Sequence, residues 1–459
     1  MTEYTVSGTV SSGGQVAGTF TGTFTPAAVT PPVTPPAVPP PVVVVPPPAT
    51  PPPADANVTV DFSSVLVPVS VLGVGFVIST YGKGAASINS GGPWKAALAA
   101  LAPGHCRVPL RWNGGNPGSS AGGGQTSGDA DDYVRAIKDI GAIPLVTFGG
   151  DASDNGFVPA DGGKFVHHYN DGGGQNGGPV TYWTIGNEPD NTGGIGPYQS
   201  SAPQAAAAMH AADPTVVLSA PEAAYWDPSL LQWAAGQSWI GLLSYHAYNG
   251  GDPAPGGFPD QSAYNANIKQ LKAWAPGKVP CLHEFNWHYA GGASQFFDWH
   301  NTCFAADVIG QVLSAGGHAT LYSDANGPLG LMNDGGGQGQ PGSTGTPLPS
   351  YWGLGIWTGM NGEFFRYGKN MCPASTTYPG TTLSAFASDS GKIVLVNKGT
   401  AALPLVISMP GKTTGTYEAW ETNAGSPTSP VTRSASASYT GGVIEYAIPG
   451  STAASVDVS

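Results

Sequence analysis

The sequence predicts an α/β protein, a (β/α)8 barrel of the TIM type followed by an all-β sandwich domain. The first observation is an alternation of eight strand-like runs with helix-like segments over about 250 residues, the size of such a barrel. The second is that the helical period disappears after Tyr351, where short strand-like runs are separated by turn residues. The third is a proline-rich stretch near the N-terminus, which separates a short β-type arm from the remainder.

The barrel prediction, over residues 57–350, depends on strands and helices that follow one another in order. The predicted strands are 73–78, 105–111, 142–148, 181–186, 215–220, 240–246, 279–284 and 318–323. The predicted helices include 129–140, 202–212, 262–275 and 301–315, with apolar residues at helical spacing. A doubly wound sheet would need fewer strands and a phosphate-binding glycine turn, and no Gly-rich tract here follows a strand and opens a helix.

The C-terminal region, residues 351–459, reads as a β-sandwich packed on the barrel. Its strand-like runs are 392–397, 403–408, 415–420 and 443–448. A lead-in strand within 57–70 either begins the barrel or joins this C-terminal sheet.

The N-terminal region has two parts. Residues 1–25 alternate Val and Phe with Ser, Thr and Gly, which gives an apolar face too small to fold alone, so we expect an assembly arm that pairs with another protein chain. Residues 26–56 are rich in Pro, Val, Ala and Thr and predict a polyproline-II linker, at ~3.1 Å per residue.

The composition excludes several classes of protein. Formal charge is 16 − 29 = −13, so the chain has no basic surface for nucleic acid or anionic membrane. Four cysteines lack metal-ligand spacing and do not predict a disulfide framework. No apolar run is long enough to span a bilayer, and the N-terminus has no basic segment followed by an apolar core. We expect an extracellular or virion-associated protein without a conventional signal peptide.

Two glutamates carry the functional prediction. Asn187, Glu188 and Pro189 follow the fourth predicted strand, where proline ends the ladder. Taken alone, Glu188 could equally cap the next helix. Glu284 ends the seventh predicted strand, 284 − 188 = 96 residues later. Facing carboxylates at the mouth of a barrel are what glycoside hydrolysis requires, with Glu188 as acid/base and Glu284 as nucleophile.

Other strand ends place polar and aromatic residues near this pair. His246 and Tyr248 end the sixth strand on one side, and a tyrosine hydroxyl would keep a carboxylate ionised. His246 alone would more often be a hydrogen-bonded core histidine. On the second strand, Arg107 or Arg111 could serve the same purpose, or form a structural salt bridge. Aromatic side chains at strand ends are candidates for sugar contact, with core packing as the alternative, namely Trp112, Trp287 and Tyr322.

These strand ends resemble the clan of retaining glycoside hydrolases built on (β/α)8 barrels. The resemblance covers about residues 70 to 459 and rests on four segments in order, Arg-Val-Pro, Gly-Asn-Glu-Pro, His-Ala-Tyr and His-Glu-Phe. The β-domain is similar to that of the β-xylosidase and arabinofuranosidase families, or the β-glucuronidase and heparanase families. It implies that Asn187 contacts the sugar 2-hydroxyl and Tyr248 contacts Glu284. Tyr322 departs from the pattern, since many members place a tryptophan there.

The sequence predicts that no metal or organic cofactor takes part. His283 and Glu284 are adjacent on one strand, so we expect their side chains to point to opposite faces and not to chelate one ion. The predicted function is hydrolysis, with retention, of a cell-surface or cell-wall polysaccharide, in a phage tail or virion context as one possibility. The alternative is a non-catalytic carbohydrate-binding or structural virion protein on the same barrel.

Overall fold

The computed structural model consists of two units, Met1–Pro48 and Ala49–Ser459. The structure describes residues 4–12, 15–24, 55–78, 94–113, 116–119, 127–149, 157–171, 177–191, 194–248, 258, 260–289, 294–323, 329–333, 335 and 339–459. In the first unit, strands β1 (Tyr4–Ser12) and β2 (Gln15–Phe24) pair antiparallel as a hairpin. Most of the predicted polyproline linker, residues 26–56, lies outside the described residues.

The second unit contains a closed barrel of eight parallel strands, which confirms the predicted fold. Each strand pairs in parallel with the next, and the last pairs with the first. A short strand, β7 (Asn116–Ser119), forms a hairpin on the second barrel strand. The barrel strands are β5 (Val74–Ile78), β6 (His105–Asn113), β8 (Ile143–Phe148), β9 (Tyr182–Ile185), β10 (Val217–Ala223), β11 (Leu242–Tyr248), β12 (Val279–Asn286) and β13 (His318–Ser323).

Helices cover the outside of the barrel and bury its outward-facing apolar residues in one continuous core. Their starts follow from local chemistry. Asp227, for example, accepts hydrogen bonds from the backbone N–H groups of Ser229 and Leu230 at the start of the helix Pro228–Ala235. The helices are α1 (Lys95–Ala100), α2 (Ser127–Asp139), α3 (Pro159–Asn170), α4 (Ile195–Ala212), α5 (Pro228–Ala235), α6 (Ser262–Trp274), α7 (Trp299–Ser314) and α8 (Pro349–Thr358), with short 3-10 turns at Ser294–Phe297 and Met360–Gly362.

Helix α8 corrects one prediction. The helical period was expected to end at Tyr351, but the helix continues to Thr358. All ten of its residues are buried between the barrel and the β-domain, so it has no polar face and shows no amphipathic period.

The C-terminal domain is one curled, mostly antiparallel sheet of eleven strands with its own apolar core. Two short strands from the lead-in segment, β3 (Val58–Val60) and β4 (Val67–Pro68), belong to this sheet, because each pairs with strands of the C-terminal region. The strands are β3 (Val58–Val60), β4 (Val67–Pro68), β14 (Asn370–Cys372), β15 (Ala374–Thr376), β16 (Leu383–Ser388), β17 (Lys392–Asn397), β18 (Leu403–Ser408), β19 (Thr414–Glu421), β20 (Thr432–Thr440), β21 (Val443–Ile448) and β22 (Thr452–Val458).

The barrel and the β-domain share a buried ion pair. Lys398, which follows β17, lies 2.5 Å from Asp307 of α7 and also donates to Ser384 at 3.0 Å. All four cysteines are buried and free of disulfides. Among the described residues, no helix has the length and apolar character needed to cross a bilayer.

Candidate active site

Glu188 lies in a tight turn just beyond β9, at the carboxyl end of the barrel. Gly186 has φ +76°, and a Cβ there would come within 2.7 Å of the Tyr198 ring, so the turn requires glycine. Glu188 itself has φ +49°, an uncommon conformation for a non-glycine residue. Its backbone N–H donates to the carbonyl oxygen of Glu222 at 2.8 Å. The turn therefore fixes the carboxylate against the end of the next strand, β10.

Glu284 lies on β12, and both of its carboxylate oxygens accept hydrogen bonds. Tyr248 of β11 donates to Oε2 at 2.6 Å, and Arg107 of β6 donates from Nη1 to Oε1. Both donors are buried or nearly so, and the side chain of Glu284 is 8 % exposed. Two donors, one of them a guanidinium cation, therefore fix the position and orientation of this carboxyl group.

A bulge in β12 overturns the expectation that His283 and Glu284 point to opposite faces. The pairing with β11 passes from Tyr245–Leu282 directly to His246–Glu284, so His283 is an extra residue in the strand. His283 bonds Glu222 inside the barrel, where Glu284 also lies. The strict alternation of side chains along a strand fails at this bulge, and both residues point inward.

His246 lies between the two glutamates. Its Nδ1 is 2.9 Å from Glu188 Oε1 and 3.5 Å from Glu284 Oε2. One carboxylate oxygen of Glu188 and one of Glu284 lie within 4.8 Å of each other. The side chain of Glu188 is 17 % exposed, whereas His246 is fully buried. The pair is thus open to a ligand on one side and closed by protein on the other.

Glu222 is a third carboxylate in this cluster, and the sequence analysis missed it. It ends β10 with φ +55° and is fully buried. Its Oε2 is 3.2 Å from His246 Nε2 and 3.3 Å from Arg107 Nη2. The signal in the sequence was a glutamate directly after a strand, the same signal that identified Glu188. The predicted strand, 215–220, stopped two residues short of Glu222, whereas β10 continues to Ala223.

These contacts determine the protonation of the cluster. Burial alone would lower the pKa of His246, but the charge of Glu284 and the bonds to Glu188 and Glu222 outweigh it and raise the pKa to about 10. Burial raises the pKa of Glu188, but the hydrogen bond and charge of His246 reverse that effect and lower it. Burial likewise opposes ionisation of Glu222, and its interactions with His283, Arg107 and His246 hold its pKa well below its usual range. His246 is therefore an imidazolium at neutral pH.

Two further predicted residues lie beside the carboxylates. Asn187 accepts from Arg107 Nη2 through Oδ1 at 2.7 Å, which directs its amide NH2 group elsewhere as a donor. The ring of Tyr322 meets the ring of Tyr248 edge to face, at 6.1 Å between centroids. Four elements, β6, the turn after β9, β11 and β12, thus bring six predicted residues together, with Tyr322 of β13 beside them. The six are Arg107, Asn187, Glu188, His246, Tyr248 and Glu284.

The structure does not bring Trp112 and Trp287 to these carboxylates. Trp112 is an odd number of residues beyond the inward-facing Arg107, and its ring packs on the helix side against Phe165 at 5.9 Å. Trp287 is 1 % exposed and packs against Phe304 of α7. The side chain of Arg111 lies outside the described residues.

Two groups of side chains bring metal-binding atoms within 4.8 Å of one another in the described part of the chain: Glu188, His246 and Glu284, and Cys281, His283 and His318. In the second group, His283 Nε2 and His318 Nε2 are 2.7 Å apart and share a hydrogen bond. Two nitrogen ligands on a tetrahedral zinc ion would be about 3.3 Å apart. In the first group, His246 hydrogen-bonds Glu188 directly. We identify neither group as a metal centre, and the absence of a cofactor stays a prediction.

Comparison with solved structures supplies relatives of the fold. An arabinofuranosidase superposes with a TM-score of 0.66 at 16 % identity, over 88 % of this chain and 100 % of that one. The α-L-arabinofuranosidase from Thermotoga maritima gives a TM-score of 0.64 at 17 % identity, over 88 % of this chain and 99 % of that one. A GH30 endoxylanase from Clostridium papyrosolvens C71 gives 0.63 at 17 % identity, over 88 % of this chain and 100 % of that one. The chain has the fold of the barrel glycoside hydrolases.

No family model matches the sequence, and no curated protein does. At 14–17 % identity, the likeness to solved structures concerns the fold. In the barrel glycoside hydrolase fold, catalytic groups are carried at the carboxyl ends of the strands. That is the end at which Glu188, Glu222 and Glu284 lie.

Proposed function

We propose that this protein is a retaining glycoside hydrolase that cleaves a cell-surface or cell-wall polysaccharide by double displacement. The observation that carries the proposal is the pair Glu188 and Glu284, whose oxygens lie within 4.8 Å across the mouth of the barrel. Retaining enzymes have carboxyl groups about 5–5.5 Å apart, whereas inverting enzymes need roughly 6.5–9.5 Å to admit a water molecule. The short separation supports direct attack by one carboxylate.

In the first step, an oxygen of Glu284 attacks the anomeric carbon and the glycosidic C–O bond breaks. Arg107 and Tyr248 donate hydrogen bonds to Glu284 and orient it for this attack. The leaving oxygen takes a proton from Glu188. In the second step, Glu188 takes a proton from water, whose oxygen attacks the same carbon and releases Glu284. The NH2 group of Asn187 would donate to the sugar 2-hydroxyl.

The proton that Glu188 delivers comes from its pairing with His246. In the free protein the proton lies on His246, because the pKa of Glu188 is lowered and that of His246 is raised. A bound sugar would exclude water from Glu188, and a drier environment favours a neutral pair over an ion pair. Transfer of the Nδ1 proton across the 2.9 Å hydrogen bond then gives Glu188 as the carboxylic acid. The general acid is therefore the Glu188–His246 pair.

The stereochemistry of the product tests this mechanism. We expect the first-formed sugar to keep the anomeric configuration of the substrate, because two inversions at one carbon restore it. Proton NMR of the anomeric signal, recorded before mutarotation, measures this. Formation of the opposite anomer first would contradict the double displacement, even if both glutamates proved essential.

Exposed tyrosines at the mouth of the barrel and the superposed proteins of the same fold indicate which polysaccharides to test as substrates. Tyr225 and Tyr289 follow the fifth and seventh barrel strands and are 53 % and 67 % exposed, which suits stacking on a sugar chain. The superposed proteins include arabinofuranosidases and an endoxylanase. A panel of aryl glycosides, xylans, arabinans and bacterial wall polysaccharides, with the double variant E188Q/E284Q as control, tests the activity. Binding without turnover would instead support a carbohydrate-binding role.

We further propose that the N-terminal hairpin attaches the enzyme to a larger assembly, as in a phage tail, outside the cell. Strands β1 and β2 pair only with each other among the described residues, and a two-stranded hairpin is marginally stable alone. Its open edges suit pairing with another chain.

A truncation separates this arm from the enzyme. Removal of residues 1–54 should leave hydrolysis of a soluble substrate unchanged while abolishing incorporation into particles. This cut keeps Asn57, which bonds the β-domain at Val406 and Pro404. Loss of activity or of folding in the truncated protein would show that the arm belongs to the enzyme domain.

A further inference from the structure

Glu222 is more completely enclosed than the two glutamates of the proposed reaction. It is 0 % exposed and lies below them inside the barrel. One oxygen, Oε1, accepts from Ser219 at 2.9 Å, Ser244 at 2.7 Å and His283 at 2.6 Å. The other, Oε2, faces the cations of Arg107 and His246. A carboxylate this buried cannot touch a sugar, so any part in the reaction acts through its neighbours.

We infer that Glu222 is a positioning residue of the site, which holds Arg107 against Glu284 and His246 against Glu188 and retains the proton of the Glu188–His246 pair. This inference rests on the proposed function. The geometry supports it directly, because each of the two cations joins Glu222 to one member of the pair. Arg107 bridges Glu222 and Glu284, and His246 bridges Glu222 and Glu188.

A count of charges explains why the proton is retained. The cluster contains three carboxylates, Glu188, Glu222 and Glu284, and two cations, Arg107 and His246. With His246 protonated the cluster carries a net charge of 2 − 3 = −1, and loss of the His246 proton would take it to −2, so the surplus negative charge holds this proton in place. Without Glu222 the two cations would match two carboxylates, and the cluster would have less tendency to hold the proton that a general acid must deliver.

Residues below Glu222 hold it ionised. Burial lowers the pKa of His283 and outweighs the attraction of Glu222, so His283 is neutral. Its Nδ1–H donates to Glu222, and its Nε2 accepts from His318 Nε2–H at 2.7 Å. His318 Nδ1 then lies 3.5 Å from the sulfur of Cys281, whose thiol donates to the carbonyl oxygen of Val279 at 3.1 Å. Burial raises the pKa of the Cys281 thiol, so the thiol stays neutral. The group formed by His283, His318 and Cys281 therefore supplies a hydrogen-bond donor to Glu222 and no second charge.

The titratable groups around Glu222 come from every element packed against it. They are Arg107 on β6, Glu188 after β9, Tyr198 on α4, His246 on β11, Cys281, His283 and Glu284 on β12, and His318 on β13. Of these, only Arg107 and His246 are cations at neutral pH that contact Glu222. Replacement of Glu222 by glutamine therefore acts on these two bridges.

The variant E222Q tests the inference through the pH profile of kcat/KM. The alkaline limb reports loss of the proton held by the Glu188–His246 pair. Removal of a negative charge makes that proton easier to lose, so we expect the limb to move to lower pH by roughly 1–3 units. At the wild-type optimum the rate should fall roughly tenfold or more. The matched control is S244A, which removes one hydrogen bond to Glu222 but keeps its charge, and its limb should move far less.

A purely structural role would lower the rate of E222Q without moving the limb, and that result would overturn the inference. If E222Q does not fold, nitrogen NMR of the wild-type histidines decides the question, with the signals assigned through the H246N variant. Two facing carboxylates predict that both nitrogens of His246 carry protons at pH 8, and a neutral His246 would overturn the inference. Because this measurement needs no substrate, it separates the inference from the proposed function, which fails if the wild-type protein hydrolyses no glycoside.

Discussion

The variant E284Q should lose turnover by about 10⁴-fold or more, equivalent to about 5.4 kcal/mol of transition-state stabilisation. Glutamine has nearly the same shape, but its neutral amide cannot form the glycosyl ester. An activated leaving group should give no rescue, because the missing group is the nucleophile of the first step. The measurement is kcat/KM on the best substrate of the panel, compared between good and poor leaving groups.

E284Q should still fold, because Arg107 keeps a second partner in Glu222 at 3.3 Å. The matched control is E445Q, the same change at an exposed glutamate of the β-domain, which should leave kcat/KM unaltered. Thermal unfolding of both variants separates loss of chemistry from loss of fold. Wild-type activity in E284Q would remove Glu284 from the mechanism.

The variant E188Q should show a second pattern, in which the loss depends on the leaving group. With a poor leaving group we expect a loss of roughly 10²–10⁴-fold, the usual contribution of general acid catalysis. With an activated aryl leaving group the first step needs little protonation, so the glycosyl intermediate should form and accumulate as a burst of released phenol. A small anion such as azide, which needs no general base, should then speed release of the sugar.

E188Q should also fold, because, as in E284Q, the buried cation keeps a second carboxylate partner. His246 keeps its bond to Glu222 through Nε2 at 3.2 Å, so the buried imidazolium retains a carboxylate partner. Equal losses with good and poor leaving groups would contradict the assignment of Glu188 as the acid. An anomeric azide product would show that water activation was the missing step.

Both variants change a glutamate that the sequence alone predicted to be functional. The barrel followed from strands and helices of ordinary length, because buried parallel strands are runs of apolar residues and the helices between them are amphipathic. Glu188 and Glu284 stood out as charged residues at the ends of such runs. The full length of helix α8 could not be read from the sequence, because a helix buried on all sides lacks the regular spacing of apolar and polar residues that indicates a helix.

The errors at the site come from counting residues along strands. Trp112 and Trp287 were grouped with the site because they follow strand ends, but the side-chain alternation turns both rings toward the helices. Glu222 was missed because the predicted strand ended at Ala220, whereas β10 continues through Pro221 to Ala223. Hydrogen bonds across the barrel, such as Arg107 to Glu222, depend on residues far apart in the chain and leave no local pattern.

Because β12 contains an extra residue, an insertion or deletion in this strand has a different effect on its side chains from that of a substitution. A substitution there alters one side chain, whereas deletion of a residue after the bulge, such as Phe285, would exchange inside for outside for every position that follows. Asn286, which bonds the carbonyl groups of Tyr322 and Leu329 from inside, would then trade faces with Trp287. Sequences of related barrels aligned without a gap at His283 would be out of phase by one residue through the rest of this strand. The spacing between His283 and Glu284 is therefore as much a part of the site as their identity.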